Sequence, residues 1–214
     1  MSNFILDHIF CFCEPALADE IKNTDNAGFK LNSGNRHSGQ GTANRSIMFE
    51  ENYLEFIFLE SLNDAIKNPL KLPQRANWHK TGASPFGICL RGAISQDECD
   101  QFWEYHPPYW SSGVIFIHKS NEESPDQPFV FIIPSSARPV DRPNVNPSQL
   151  SHKTSSTAIL KVEIAGPNYK WPNISGSQQI NLTKADSPHM RVTVDGKLPY
   201  EIVLNDLLSV VSAS

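Results

Sequence analysis

The chain has 214 residues, of which 39% are apolar, 10% aromatic and 19% charged, with a formal net charge of −5. That composition supports a globular core and excludes disordered, collagen-like and coiled-coil chains. Lys and Arg are nowhere clustered, so a nucleic-acid partner has no electrostatic footprint, and no window approaches the roughly 20 apolar residues of a membrane span.

Phe4 to Phe12, rich in Ile and Phe, reads as a first strand. Pro15, Leu17, Ile21 and Gly28 outline a short helix with its stop. After a loop over Asn32–Gly41, Ser46–Phe49 and Asn52–Leu59 read as strands joined by a tight turn at Glu50-Glu51. A connector with Pro and Asn covers Asn68–Ser84. The same order then returns: a strand at Phe86–Leu90, a capping box at Ser95–Glu98 with a short helix to about Glu104, and strands at Val114–His118 and Phe129–Ile133. This predicts a duplicated βαββ unit. Pro134–Thr157 is a polar connector with four Pro. Leu160–Ile164, Gln179–Leu182, Met190–Val194 and Glu201–Leu204 predict a final antiparallel group, with Asp195-Gly196 as a hairpin turn. The fold class expected is α+β.

The apolar start and Ala16-Leu17-Ala18 imitate a secretory signal. No Lys or Arg precedes them, however, and Asp7, His8 and Glu14 interrupt the run, so a cytoplasmic protein is expected. Cys11, Cys13, Cys89 and Cys99 have neither zinc-module nor disulfide-framework spacing and read as reduced thiols.

Two polar residues stand inside apolar strands. Strict alternation puts Leu6, His8, Phe10 and Phe12 on one face of the first strand, and Ile5, Asp7, Ile9 and Cys11 on the other. A histidine there is more often a satisfied core residue than a ligand. Glu55, within Tyr53–Leu59, costs several kcal/mol if buried unpaired; exposure at a sheet edge is the plain alternative. An imidazole and a carboxylate on neighbouring strands would make half of a divalent-metal site. The Gly39-Gln40-Gly41 segment lacks the third glycine of a dinucleotide fingerprint. It is either a mobile entry to the next strand or a cavity rim on which His37, Asn44 and Arg45 face a ligand. Trp78 and the Tyr105–Trp110 stretch either line an apolar pocket or pack beneath their loops. His79 and His106 have no carboxylate fixed by spacing, and Arg91 is a candidate anion contact. There is no nucleophile elbow and no phosphate loop.

The order of elements, together with Leu6-Asp7-His8-Ile9, Arg36–Arg45, Phe49–Phe56, Thr81–Ile88, Tyr105–Tyr109 and Pro128–Pro134, resembles the glyoxalase-like domain proteins of the vicinal oxygen chelate superfamily. His152 and Leu198-Pro199 match its C-terminal part weakly. The resemblance implies paired βαβββ modules with curved mixed sheets enclosing a cavity, plus the C-terminal antiparallel strand group. It implies a first module over residues 1–67, a second over 68–134 and C-terminal strands over 135–214 that complete or cap the second, all in one compact domain. It implies metal ligands at His8 and Glu55, with ligand contacts drawn from His37, Asn44, Arg45, Tyr53, Trp78, Cys89, Arg91 and Tyr109. Zn, Ni, Fe and Mn all suit such a pair, and a metal-free site is the alternative, because the second module offers only Cys89 and its Phe129–Ile133 strand offers no ligand. The expected partner is a small organic molecule with a carbonyl or vicinal oxygens, acted on by lyase, isomerase or dioxygenase chemistry or simply bound. Pairing of two copies is the third expectation.

Overall fold

The computed structural model describes residues 4–142, 145–172, 174, 178–198 and 201–213. The first half contains β1 (Ile5–Phe12), α1 (Ala18–Asn26), β2 (Asn35–His37), β3 (Thr42–Met48) and β4 (Tyr53–Leu59). Three short helices follow, α2 (Leu62–Lys67), α3 (Leu72–Ala76) and α4 (Trp78–Thr81). Next come β5 (Phe86–Arg91), β6 (Phe102–Tyr105), β7 (Ile115–His118), α5 (Ser120–Glu123) and β8 (Phe129–Ile133).

These eight strands form one sheet in the order β2-β3-β4-β1-β5-β8-β7-β6. The two halves mirror each other. β1 runs parallel to β4 as β5 does to β8, the outer pairs are antiparallel, and β1 meets β5 antiparallel at the centre. The duplication expected from sequence is therefore visible as a pseudo-twofold sheet of paired βαβββ type. The second half departs by inserting α5 between β7 and β8, and by its first connection. Ser95 and Glu98 do bond, Oγ to Oε2 at 2.6 Å, but only a single 3₁₀ turn over Cys99–Gln101 follows. The predicted helix gives way to β6, because Phe102 and Tyr105 are buried by pairing with β7. Tertiary burial overrides the local helix signal.

A second sheet holds β9 (Ile159–Gly166), β10 (Ile180–Lys184), β11 (His189–Val194), β12 (Ile202–Asn205) and β13 (Leu208–Ser212), in the order β10-β9-β11-β13-β12. The antiparallel reading needs correction here. β9–β11 and β12–β13 are antiparallel, but β9–β10 and β11–β13 are parallel. β13, unread in the sequence, inserts between β11 and β12, so Asp195-Gly196 closes no hairpin. Instead the Asp195 carboxylate accepts the Thr157 N–H at 2.7 Å and the Ala158 N–H at 3.0 Å, pinning the entry to β9. Pro199, the last residue of the Leu198-Pro199 match, lies outside the described residues.

The two sheets share one core. Leu6, Ile9, Cys11, Leu54, Phe56, Ile88 and Leu90 of the large sheet pack with Val162, Ile164, Met190, Val192 and Leu208 of the small one. The opposite face of the large sheet carries a second cluster, with Phe10, Ile57, Cys89, Ile117 and Phe131. The candidate site sits on that second face. Leu90 is fully buried in the shared core, so Leu90→Ala should cost about 2–5 kcal/mol of stability. Urea unfolding followed by both fluorescence and circular dichroism should then show one shifted transition. Two separate transitions, only one of them shifted, would mean that the sheets do not form a common cooperative unit.

Candidate functional site: a buried carboxylate–imidazole–carboxylate chain

β1 is not a regular strand. Leu6 pairs with Leu90 and His8 with Cys89, so two steps along β1 match one step along β5, and Asp7 is the extra residue. This bulge resets the alternation. Leu6 falls into the core shared with Ile9 and Cys11, whereas Phe10 and Phe12 face the other cluster. Strict alternation separates Asp7 from His8; the bulge brings them together. Asp7 Oδ1 lies 2.7 Å from His8 Nδ1, and His8 Nε2 lies 3.5 Å from Glu55 Oε2.

Each member is held from further out. Asn44, on β3, donates its amide to Glu55 Oε1 and accepts the Asn35 N–H at 2.8 Å through its own carbonyl. Glu55 thus presents its second oxygen toward His8. The imidazole stacks on Tyr53, with centroids 4.2 Å apart, and meets Phe131 edge-on at 5.5 Å. Arg142 reaches in from the Pro-containing connector and donates to Asp7 Oδ2. Arg91 approaches the same oxygen at 3.9 Å while donating to the Leu6 and Glu51 carbonyls at 3.0 and 2.7 Å. Asp7, His8, Glu55 and Arg91 are all buried, at 0, 4, 5 and 3% exposure. Burial opposes ionisation of Asp7, but His8 and Arg142 outweigh it and hold the carboxyl below its ordinary value. Burial pushes the Cys89 thiol and the Tyr53 phenol well up, and the Asp7 and Glu55 charges add to both effects.

The sequence-derived residues separate by position. His8, Glu55, Asn44, Tyr53, Cys89 and Arg91 lie in or against the cluster. His37 sits at its margin, its Nδ1 2.9 Å from Thr42 Oγ1 and its ring stacked on Tyr109 at 4.6 Å. The Glu55 and His8 charges reach His37, and the Glu55 charge reaches Tyr109. Two residues are set apart. Arg45 alternates with Asn44 and Ser46 on β3 and points to the opposite face, lining a different cleft. Trp78 stacks on His79 and packs toward the shared core. His106 is exposed beside Glu104, and His152 is a buried strut between the Lys30 N–H and the Met48 carbonyl. Asp7 and Arg142 were not singled out from sequence. The Leu6-Asp7-His8-Ile9 run held the signal for Asp7, but only the bulge reveals its direction. Arg142 lies 135 positions from its partner and leaves no local trace.

The donor chemistry can be tested against a divalent ion. Two ligands each about 2.1 Å from a tetrahedral ion stand about 3.4 Å apart, close to the 3.5 Å between His8 Nε2 and Glu55 Oε2. Asp7 on the far ring nitrogen matches the outer-sphere carboxylate that usually orients a metal-binding histidine. The ligand atoms of Asp7, His8 and Cys89 also lie within 4.8 Å of one another. That trio is the poorer set, because both Asp7 oxygens already have donors and burial keeps Cys89 a thiol. His8 and Glu55 fit as a two-residue half-site.

Against this geometry, residues 6–102 match the family model described as the glyoxalase-like domain. Over the whole length of both chains, the fold is similar to a crystal structure of a hypothetical protein from Staphylococcus aureus, at 14% identity and a TM-score of 0.57. A hypothetical protein from Bacillus halodurans C-125 matches 64% of this chain and 97% of its own, at 11% identity and a TM-score of 0.44. Methylmalonyl-CoA epimerase from Mycobacterium tuberculosis matches 60% of this chain and 85% of its own, at 10% identity and a TM-score of 0.39. No curated protein matches. The sheet order defines the class of fold, a paired βαβββ architecture. Within it, residues 6–102 are similar to the glyoxalase-like domain. No helix among the described residues is long and apolar enough to cross a membrane.

Three histidines make the fold sensitive to mild acid. Burial lowers His37, His118 and His152 from the ordinary value of 6.5. Below about pH 6.5 the unfolded chain binds protons that the folded chain resists, so stability falls as pH drops through that region and is fully present above it. Asp7 acts further down. Its lowered carboxyl contributes stability above about pH 4, and that stability is lost as pH falls through the folded value. Unfolding free energy measured in urea should decline steadily from about pH 7.5 to 5. A flat profile over that range would show that these imidazoles titrate normally in the fold.

Proposed function

We propose that the protein binds a small organic molecule carrying a carbonyl or two adjacent oxygens beside His8 and Glu55, and moves a proton on it. The reaction class is that of a glyoxalase-like lyase or isomerase. The observation that carries this reading is one imidazole held between two buried carboxylates. Burying that many ionisable groups together is costly unless they pair and is typical of sites that do chemistry.

Each residue has a distinct task. Asp7 accepts from His8 Nδ1, which leaves Nε2 as the ring's working atom. Asn44 occupies one Glu55 oxygen, so the other either ligates an ion together with His8 or, with no ion bound, is the base that takes a proton from the carbon next to the carbonyl. Arg142 spends one N–H on Asp7, is 28% exposed along its side chain, and would pair with the charge that develops on the substrate oxygen. Tyr53 and Phe131 supply the apolar walls, and His37 with Tyr109 the margin. A divalent ion such as Zn, Ni, Fe or Mn, held by His8 and Glu55, would polarise the carbonyl when bound. A second reading, binding without chemistry, is favoured by the neighbouring strands, which add a thiol and a phenyl ring, Cys89 and Phe131, where further ligands or bases would help. A second copy of the chain would add most simply at the sheet edges β2 and β6.

Metal content measured by mass spectrometry on untagged protein, beside Glu55→Gln, separates the two readings. Near-stoichiometric metal that is lost in the variant, with proton exchange into simple 2-oxo compounds falling at least about 100-fold, is the expected outcome. Absence of metal after soaking with all four ions, together with unchanged exchange in Glu55→Gln, would leave Glu55 as a ligand contact in a binding protein.

A further inference from the structure

On the face of the first half-sheet turned away from His8, a cleft of about 550 Å³ opens between α1, the segment 29–33 and the 3₁₀ turn Pro147–Leu150. Its volume lies within the roughly 300–1,000 Å³ of small-molecule sites. We propose that this cleft is a second ligand site, independent of the His8 cluster, and that it takes a small organic anion: a phosphate or carboxylate on a short apolar body.

Three observations support the assignment. The first is charge. The chain as a whole carries −5, yet the cleft gathers Lys22, Lys30 and Arg45 against the single acid Asp25. The second is Arg45 itself. Its side chain is half-buried, and no hydrogen bond or ion pair of its guanidinium is found among the described residues. A planar fork withdrawn part-way from water without a carboxylate is suited to bidentate capture of an anion. Its stem is positioned by Gly34, at φ +82°, where an added Cβ would stand 1.8 Å from the Asn44 carbonyl and 3.1 Å from Arg45 Cγ. The third is the arrangement of the walls. Phe29 and Leu31 supply apolar surface. Asn32 accepts the Ser46 N–H at 2.7 Å through its oxygen, leaving its NH₂ to donate. Lys30 Nζ reaches across to the Ser148 carbonyl at 3.0 Å, tying the two walls together. Apart from Asp25, the Ser33 hydroxyl and the small hydroxyl and amide groups of the turn, the polar groups left over are donors, and this favours an anionic ligand.

Titration with phenyl phosphate at constant ionic strength, followed by backbone amide shifts, tests the proposal, with benzoate, inorganic phosphate and benzyl alcohol as parallel probes. The expected result is saturable binding of phenyl phosphate or benzoate in the millimolar range. The shifts should be confined to residues 21–33, 44–46 and 146–149, with benzyl alcohol silent and affinity at least about tenfold lower in Arg45→Gln. Glu55→Gln should bind the probe as the parent does, which separates failure here from failure of the His8 reading. Lys30→Gln provides a second variant should Arg45→Gln lose its fold. Shifts centred on β1 and β4, affinity unchanged in both variants, or no saturable binding of any anion would overturn the proposal.

Discussion

Opposite Leu90 and Cys89 of β5, β1 spends three residues, Leu6, Asp7 and His8, where a regular ladder would spend two. The extra residue turns an acidic side chain from the shared core toward the open face and places it on the histidine's Nδ1. With regular pairing, Asp7 would project beside Ile9 and Cys11 into the shared core, where an ionised carboxyl has no partner and costs several kcal/mol. The bulge lets one strand serve a dry core on one side and a charged cluster on the other.

That cluster is balanced without help. Asp7 is met by Arg142, Arg91 and His8 Nδ1, and Glu55 by the Asn44 amide. Such a network is seldom the most stable filling for a buried space, since apolar residues of equal volume do as well or better. Its presence at the seam of the two half-sheets is the physical observation on which the proposed function rests. The same balance bears on a divalent ion, whose positive charge would join a site where two guanidinium groups already flank Asp7. An ion bound there, as proposed, would draw on Glu55 and on oxygens brought by the ligand.

The sequence disclosed the framework better than its details. His8 and Glu55 were conspicuous because a charged or titratable group inside an apolar strand is costly, and the repeated strand order announced the duplication. What stayed hidden has physical causes. A bulge leaves no mark in an alternation pattern and shows only in the pairing register. β13 is short and follows a polar turn, so its insertion between β11 and β12 was invisible, and with it the parallel pairing. The Ser95–Glu98 signal was real, but pairing of β6 with β7 outweighed it. Arg45 read as a neighbour of Asn44 along the loop, whereas one step along a strand reverses the face.

The most direct test of the account is the tautomer of His8, read from nitrogen-15 shifts and couplings of the imidazole under mildly alkaline conditions, where an ordinary imidazole is neutral. The bulged geometry predicts the proton on Nδ1, held by Asp7, with Nε2 unprotonated and facing Glu55, and it predicts that Asp7→Ala abolishes this preference. A proton on Nε2 in the parent protein, or a tautomer indifferent to Asp7→Ala, would contradict the account.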